Sequence, residues 1–548
     1  MPGLGRCVLA LTSLGVLAGS GAPAASTAPT AVPRIVSNSG RHQLIVDDQP
    51  FLMLGAQVNN SSNYPAMLPR VWPLIEQLHA NTVEIPVAWE QVEPREGQFD
   101  FSWVDTLLRG AGGHDVRLVL LWFATWKNTS PNYAPEWVKL DAKRFPRMMK
   151  PDGTPHNVLS PLGRTTLEAD KRAFVRLVQH LRKADPDHRV IMVQVENESG
   201  SYGLSRDHSP AANRLFEGGI PAELARRIGK PARSWHDSFG AFADQAFESW
   251  HTARYVDEIV AAGKAVLPLP MYANAPVGDA FDAKQASIVA SGGPQWNMID
   301  VWKAGAPHLD LVAPDIYTSD PRQVTALLGH YARADNALMV PEMGNAPAFA
   351  RFMYEALGKG AIGVAPFGMD ATGYANYPLG AKSLGPAEIE AFAGLYRLLR
   401  PMERQWPMIA ATKPIWGVAK GSDAADQTTV LGRWRLTTIY DMWAFGEREW
   451  TWIKSDPAPS KSQPVGGLVV AQIGPDEFLA AGRDVRLRLG LADAGKGEQA
   501  MMARVEEGNY GPDGAWHMTR VWNGDQTDYG LNFPSEPVLL RIRMGTIR

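Results

Sequence analysis

The chain has 548 residues, 45% of them hydrophobic and 20% charged, with a formal net charge of −3. These values describe a globular protein of more than one domain, and they exclude the basic surface that nucleic-acid binding requires. A single cysteine, Cys7, excludes a disulfide scaffold.

Residues 1–6 form a short cationic start, residues 7–17 an apolar run, and Ala22-Pro23-Ala24 resembles a cleavage site. This pattern predicts an export signal over 1–24 and a small-residue linker over 25–40, with the protein periplasmic or secreted. The apolar run is too short, and too interrupted by glycine and serine, to span a membrane. Because Cys7 lies inside the signal, the mature chain would have no thiol for catalysis.

Residues 44–49 and 51–55 read as a small hairpin entering a first buried strand near Phe51. Residues 68–78 have helical spacing, and 81–89 form a β-branched run ending at Glu90, which completes one β-α-β unit. A short helix over 102–109, a strand over 116–123 and a long rim loop with Trp126, Tyr133 and Trp137 follow. Thr165-Thr166-Leu167-Glu168 has capping-box form and opens a helix with Leu167, Phe174, Leu177, Val178 and Leu181 on one face. Apolar strands then recur at 190–195, 267–273, 309–316, 337–340 and 361–367. Eight strands with helix-compatible sequence between them predict a (β/α)8 barrel over 41–400, with a doubly wound sheet as the competing architecture.

Beyond about residue 400 the pattern changes to strict alternation, as in Val485, Leu487 and Leu489 around Arg486 and Arg488, or Leu540 and Ile542 around Arg541. With the turn signal Gly511-Pro512-Asp513-Gly514, this predicts an antiparallel β-sandwich-like domain over 401–548.

Two carboxylates stand at strand ends, where a barrel opens its active site. One lies in Gln194-Val195-Glu196-Asn197-Glu198-Ser199-Gly200, and the other is Glu342 in Val340-Pro341-Glu342-Met343-Gly344. About three strands apart, they would face each other across the barrel mouth, as glycoside hydrolysis requires of a proton donor and a nucleophile. The residues alone leave Glu196 in contention with Glu198, and Asp315 and Asp370 in contention with Glu342. Strict alternation puts Gln194, Glu196 and Glu198 on one face, so bringing both Asn197 and Glu198 into a site requires a bulge. Gly358-Lys359-Gly360-Ala361-Ile362-Gly363 has dinucleotide-fingerprint spacing but precedes a strand, and reads as a helix-to-strand turn. No zinc or phosphate-loop motif is present. No metal or organic cofactor is therefore expected.

The Gln194–Gly200 stretch resembles the Gln-Val/Ile-Glu-Asn-Glu-Tyr-Gly motif of glycoside hydrolase family 35, largely retaining β-galactosidases. The resemblance extends over most of the barrel, including Ile85-Pro86-Val87-Ala88-Trp89 and residues 93–100. It implies that Glu198 is the general acid/base, that Asn197 holds the sugar 2-hydroxyl and that Glu342 is the nucleophile. Ser199 replaces the motif tyrosine. Trp89, Trp122, Trp126 and Tyr317 are candidate rings for the sugar face or else packing, and Glu90 and Lys127 are candidate hydroxyl ligands or else solvated charges. Tyr317 is also placed to donate to Glu342.

The sequence thus predicts an exported retaining exo-β-galactosidase acting on a carbohydrate. The rivals are another retaining glycosidase on the same barrel, such as a β-glucosidase or an endo-hemicellulase, and a noncatalytic carbohydrate-binding barrel.

Overall fold

The computed structural model describes residues 1, 3, 31–283, 290–440, 459–495, 497–511 and 513–548. The expected export signal and Cys7 lie outside the described residues, apart from residues 1 and 3. Part of the expected linker is instead a strand, Arg34–Asn38, in a three-stranded antiparallel sheet with Arg41–Val46 and Gln49–Phe51.

Eight parallel strands follow: β1 (Met53–Gln57), β2 (Thr82–Ala88), β3 (Arg117–Lys127), β4 (Val190–Asn197), β5 (Met271–Pro276), β6 (Leu311–Ile316), β7 (Met339–Met343) and β8 (Gly363–Pro366). They close into one barrel in chain order, with β8 pairing back onto β1, which excludes the doubly wound alternative. Helices alternate with them: α1 (Trp72–Leu78), α2 (Ser102–Gly113), α3 (Arg164–Ala184), α4 (Ala243–Lys264), α5 (Ile299–Gly305), α6 (Pro321–Tyr331), α7 (Phe352–Gly358) and α8 (Pro386–Leu399). The predicted capping box does not form. α3 starts at Arg164, so Thr165 falls inside the first turn, and Glu168 pairs instead with Arg164 and Lys171.

The continuous apolar runs of the strands follow from burial on both faces. Outward side chains such as Leu120 and Trp122 pack under helix residues such as Phe174 and Leu177. Inward ones, Val119, Leu121, Ile191 and Leu311, form a separate core closed from below by Leu44, Val46 and Phe51 of the N-terminal sheet. Toward the strands' C-terminal ends the interior turns polar, with Gln57, Glu84, Gln194, Asn274, Asp315 and Glu342 all buried. Burial without partners is costly for such groups, so a polar layer inside a barrel indicates function.

Among the described residues, the second unit has a six-stranded antiparallel sheet and a four-stranded one. Its strands are β9 (Ile415–Ala419), β10 (Gln427–Leu431), β11 (Trp434–Ile439), β12 (Gly467–Gly474), β13 (Glu477–Arg483), β14 (Val485–Leu491), β15 (Gln499–Tyr510), β16 (Trp516–Val521), β17 (Leu531–Phe533) and β18 (Val538–Ile547). The sheet orders are β9-β12-β13-β18-β15-β16 and β10-β11-β14-β17. Inner faces of both sheets share a core that includes Trp434, Phe478, Leu487 and Leu540. Val469, Ala471, Leu479 and Leu539 on the other face of the larger sheet join the barrel's core. At that junction Gly358, the last residue of α7, lies against Gly417 of β9. A Cβ built on Gly358 would stand 2.0 Å from the Gly417 nitrogen, and one on Gly417 would stand 2.2 Å from the Tyr354 carbonyl. Among the described residues, no helix is long and apolar enough to cross a membrane.

Candidate active site

The site begins where β4 stops alternating. Glu196 and Glu198 both have left-handed backbones, φ +64° and +45°. Each such non-glycine residue costs about 1–3 kcal/mol and persists only where its surroundings hold it. Here the neighbouring strand does so. Trp122 pairs with Val195 and Lys127 with Asn197, so four residues of β3 bulge out against Glu196 alone.

Glu196 turns its carboxyl into that bulge. It accepts the Trp126 N–H at 2.7 Å and the Thr125 N–H at 3.3 Å. Behind it stands Asp170 of α3, which accepts from Trp122 Nε1 at 2.9 Å and from the Thr125 hydroxyl at 2.7 Å. Burial and then the charge of Asp170 push Glu196 well above the usual carboxyl range, and burial raises Asp170 too. Glu196 therefore belongs to the scaffold. The turned backbone leaves Asn197 and Glu198 both in the site, which supplies the departure from alternation that the sequence requires.

Glu342, in β7, accepts three hydrogen bonds. Gln57 Nε2 (2.9 Å) and Asn197 Nδ2 (3.2 Å) donate to Oε1, and the Tyr317 hydroxyl (2.6 Å) donates to Oε2. Lys127 reaches Asn197 Oδ1 at 2.8 Å and Asn128 Oδ1 at 2.5 Å, fixing the amide so that its NH2 faces Glu342. Glu198 is 7% exposed, and its backbone N–H is held by Asn274 Oδ1 at 3.0 Å. Burial, then the charge of Glu342, push its carboxyl up to about 7, against the pull of Lys127. One oxygen from each of Glu198, Asp315 and Glu342 lies within 4.8 Å of the others.

That trio has the spacing of metal ligands, but its surroundings fit proton handling better. Both Glu342 oxygens already accept donors, and a lysine ammonium interacts with the cluster. A carboxyl held near neutrality beside a carboxylate fixed by three donors can give up a proton on one side of a bond while the other attacks.

The cleft over these groups has a volume of about 490 Å³ and is walled by Asn60, Tyr202, Tyr317, Phe367, Tyr374 and Leu379, among others. Of the predicted residues, the structure brings Glu198, Glu342, Asn197, Lys127 and Tyr317 together. The other four lie elsewhere, and those expectations are corrected. Trp122 points outward to Asp170, since alternation along β3 aims it at α3. Trp126, inside the bulge, packs against Tyr255. Trp89 is turned into the core by the short helix Trp89–Val92 and donates to Glu93. All three are fully buried. Glu90 is paired with Lys139 at 2.8 Å. Asp370 binds Asn59 and Ser62 and ties the loop after β8 to the loop after β1.

Sequence reasoning passed over Gln57 and Asn274 and took Asp315 only as an alternative nucleophile. A signal existed, because each is a polar residue inside an apolar barrel strand. The Gly358–Gly363 run is the expected helix-to-strand turn between α7 and β8.

A family model described as "Beta-galactosidase", that of glycoside hydrolase family 42, matches residues 68–264, and a domain of unknown function, DUF5597, matches 392–534. The barrel match is thus to family 42 and does not support the family 35 assignment that the Gln194–Gly200 motif implies. A β-galactosidase of Xanthomonas manihotis is 28% identical over 195 residues, which cover 35% of this chain and 30% of that protein. Solved β-galactosidases from Bacillus circulans sp. alkalophilus (14% identical, 65% of this chain and 57% of that one, TM-score 0.46) and Halorubrum lacusprofundi (18%, 64% and 58%, TM-score 0.44) are similar to the chain. The chain spans less than two thirds of each of these proteins.

Proposed function

We propose that the chain is a glycoside hydrolase, a retaining exo-β-galactosidase, with Glu198 as general acid/base and Glu342 as nucleophile. The observation that carries this reading is the pair itself: a carboxyl pushed up to about 7 within 4.8 Å of a carboxylate fixed by three donors, at the mouth of a barrel. With one oxygen of each carboxyl within 4.8 Å of the other, the spacing supports retention, which uses carboxyls about 5–5.5 Å apart, over inversion, which uses roughly 6.5–9.5 Å.

In the first step Glu342 attacks the anomeric carbon as Glu198 gives its proton to the leaving oxygen, forming a glycosyl ester on Glu342. In the second, water attacks that carbon, its proton passes to Glu198, and Glu342 leaves as a carboxylate. Asn197, held by Lys127 and touching Glu342, is placed to meet the 2-hydroxyl beside the reacting carbon. Galactose as the sugar is supported by the β-galactosidase match over residues 68–264, and export by the first 24 residues of the sequence.

Glu342→Gly tests the assignment. Hydrolysis should be lost, and azide should restore cleavage of an activated aryl β-galactoside with an α-configured product, by one inversion instead of two. A β-configured product, or substantial activity without azide, places the nucleophile elsewhere.

A further inference from the structure

Asp315, next to last in β6 and 1% exposed, has no role in the two steps above. Its Oδ2 accepts from Asn274 Nδ2 at 2.8 Å, and Asn274 Oδ1 takes the backbone N–H of Glu198. One amide therefore fixes both the Asp315 carboxyl and the main chain of the acid. The other oxygen, Oδ1, is fully buried and receives no N–H or O–H donor among the described residues. One oxygen of Asp315 and one of Glu198 lie within 4.8 Å of each other, an approach of two buried carboxyls that is attractive only when one of them carries a proton.

We propose that Asp315 remains a neutral carboxylic acid throughout the cycle and donates its proton in a hydrogen bond to Glu198, as the positioning residue for the acid/base. The proposal rests on the reading of Glu198 given above. The groups that face Asp315 favour this state. They are Lys127 from β3, Tyr272 from β5, Glu342 from β7, Tyr331 from α6, and Tyr202 and Tyr317 from loops. Burial raises the tyrosine hydroxyls, which stay neutral, so the charges that act on Asp315 are those of Glu342 and Glu198, which raise its carboxyl, and that of Lys127, which lowers it. Burial then decides, with the charge of Glu342 adding to it, and holds the Asp315 carboxyl well above its usual range.

When Glu198 has given up its proton and Glu342 has become an ester, the negative charge of the cluster has moved to Glu198. The O–H of Asp315 then points at the oxygen that has just become ionised, stabilising it and aiming it at the incoming water. Asp315 keeps its own proton through both steps, so protons and charge balance without it.

Asp315→Asn tests this, because an amide N–H replaces the carboxyl O–H at nearly the same size. The variant should keep kcat/KM within about fivefold and the alkaline limb of its pH profile within about 0.3 unit of the unaltered enzyme. An ionised Asp315 would instead make the limb fall by about one unit when its charge is removed, which overturns the proposal. Asp315→Leu, which removes the donor, should move the limb upward and lower kcat and KM together as the second step slows; an unmoved limb also overturns it.

The unaltered protein, labelled with 13C at aspartate carboxyls, gives a reading that needs no variant. The signal that shifts on trapping with an activated 2-deoxy-2-fluoro-galactoside should stay at the protonated position across the alkaline limb, and a carboxylate position overturns the proposal. Azide rescue of an inactive Asp315→Gly enzyme would instead mark Asp315 as the nucleophile and sink the assignment of Glu342. If Glu342→Gly is rescued and the Asn variant shifts the limb, only the role of Asp315 fails.

Discussion

Tyr317 donates its hydroxyl to Glu342 Oε2 at 2.6 Å, the shortest of the three hydrogen bonds that hold this carboxylate. A hydrogen bond to a charged group contributes about 1.5–3 kcal/mol, so Tyr317→Phe should lower kcat/KM by roughly 10–150-fold. Because the bond serves the nucleophile, the loss should be similar for good and poor leaving groups. A change below about threefold would show that Gln57 and Asn197 suffice.

Glu198→Gln should behave differently. Substrates with poor leaving groups need its proton and should lose about 100-fold or more, while activated aryl galactosides should lose much less in the first step. Glu196→Gln should show no such dependence on the leaving group, because Glu196 bonds the backbone of Thr125 and Trp126 and lies outside the cleft wall. A leaving-group dependence from Glu196→Gln would transfer the acid role to it.

The pH profile of kcat/KM should report Glu198. Its carboxyl is raised to about 7 and must be protonated for the first step, so activity is present below that value and is lost as pH rises through it. Lys127 pulls that value down. Lys127→Met should therefore move the alkaline limb upward, and a downward or absent shift would refute the electrostatic account.

Glu248, fully buried on α4 and accepting the Asp207 N–H at 2.9 Å, is raised to about 8 by burial from a usual 4.5. The sign follows from linkage: with the folded value above the unfolded one, stability is fully present below about 4.5 and is lost as pH rises through about 8. Tm should fall across that window, with Glu84, Glu196 and Asp315 acting in the same direction. Glu248→Gln, which has no proton to lose, should flatten the fall. An equally steep decline in the variant would assign the effect to the other buried acids.

The fold was legible because period and length carry it. Eight buried strands leave eight apolar runs, and half-exposed sheets leave alternation. The carboxylates Glu198 and Glu342 were legible because each breaks such a run at its end. What stayed hidden is which way particular side chains turn within and beyond those runs. Two left-handed glutamates decide that Glu196 faces scaffold and Glu198 faces the cleft. The direction of each side chain along β3 decides that Trp122 and Trp126 pack inside the protein. Rings that do wall the cleft, Tyr202 and Tyr374, sit in loops where sequence gives no direction.

The backbone contact between Gly358 and Gly417 bears on how the molecule comes apart. α7 follows directly on the strand that carries Glu342, and its end is seated against β9 with no space for a side chain between them. The antiparallel unit thus acts as a splint for the nucleophile's own β-α segment. Heat or denaturant that frees that unit also releases α7, so loss of turnover and loss of structure should coincide in one cooperative transition. The barrel, cut free, would expose the apolar surface now covered by Val469, Leu479 and Leu539.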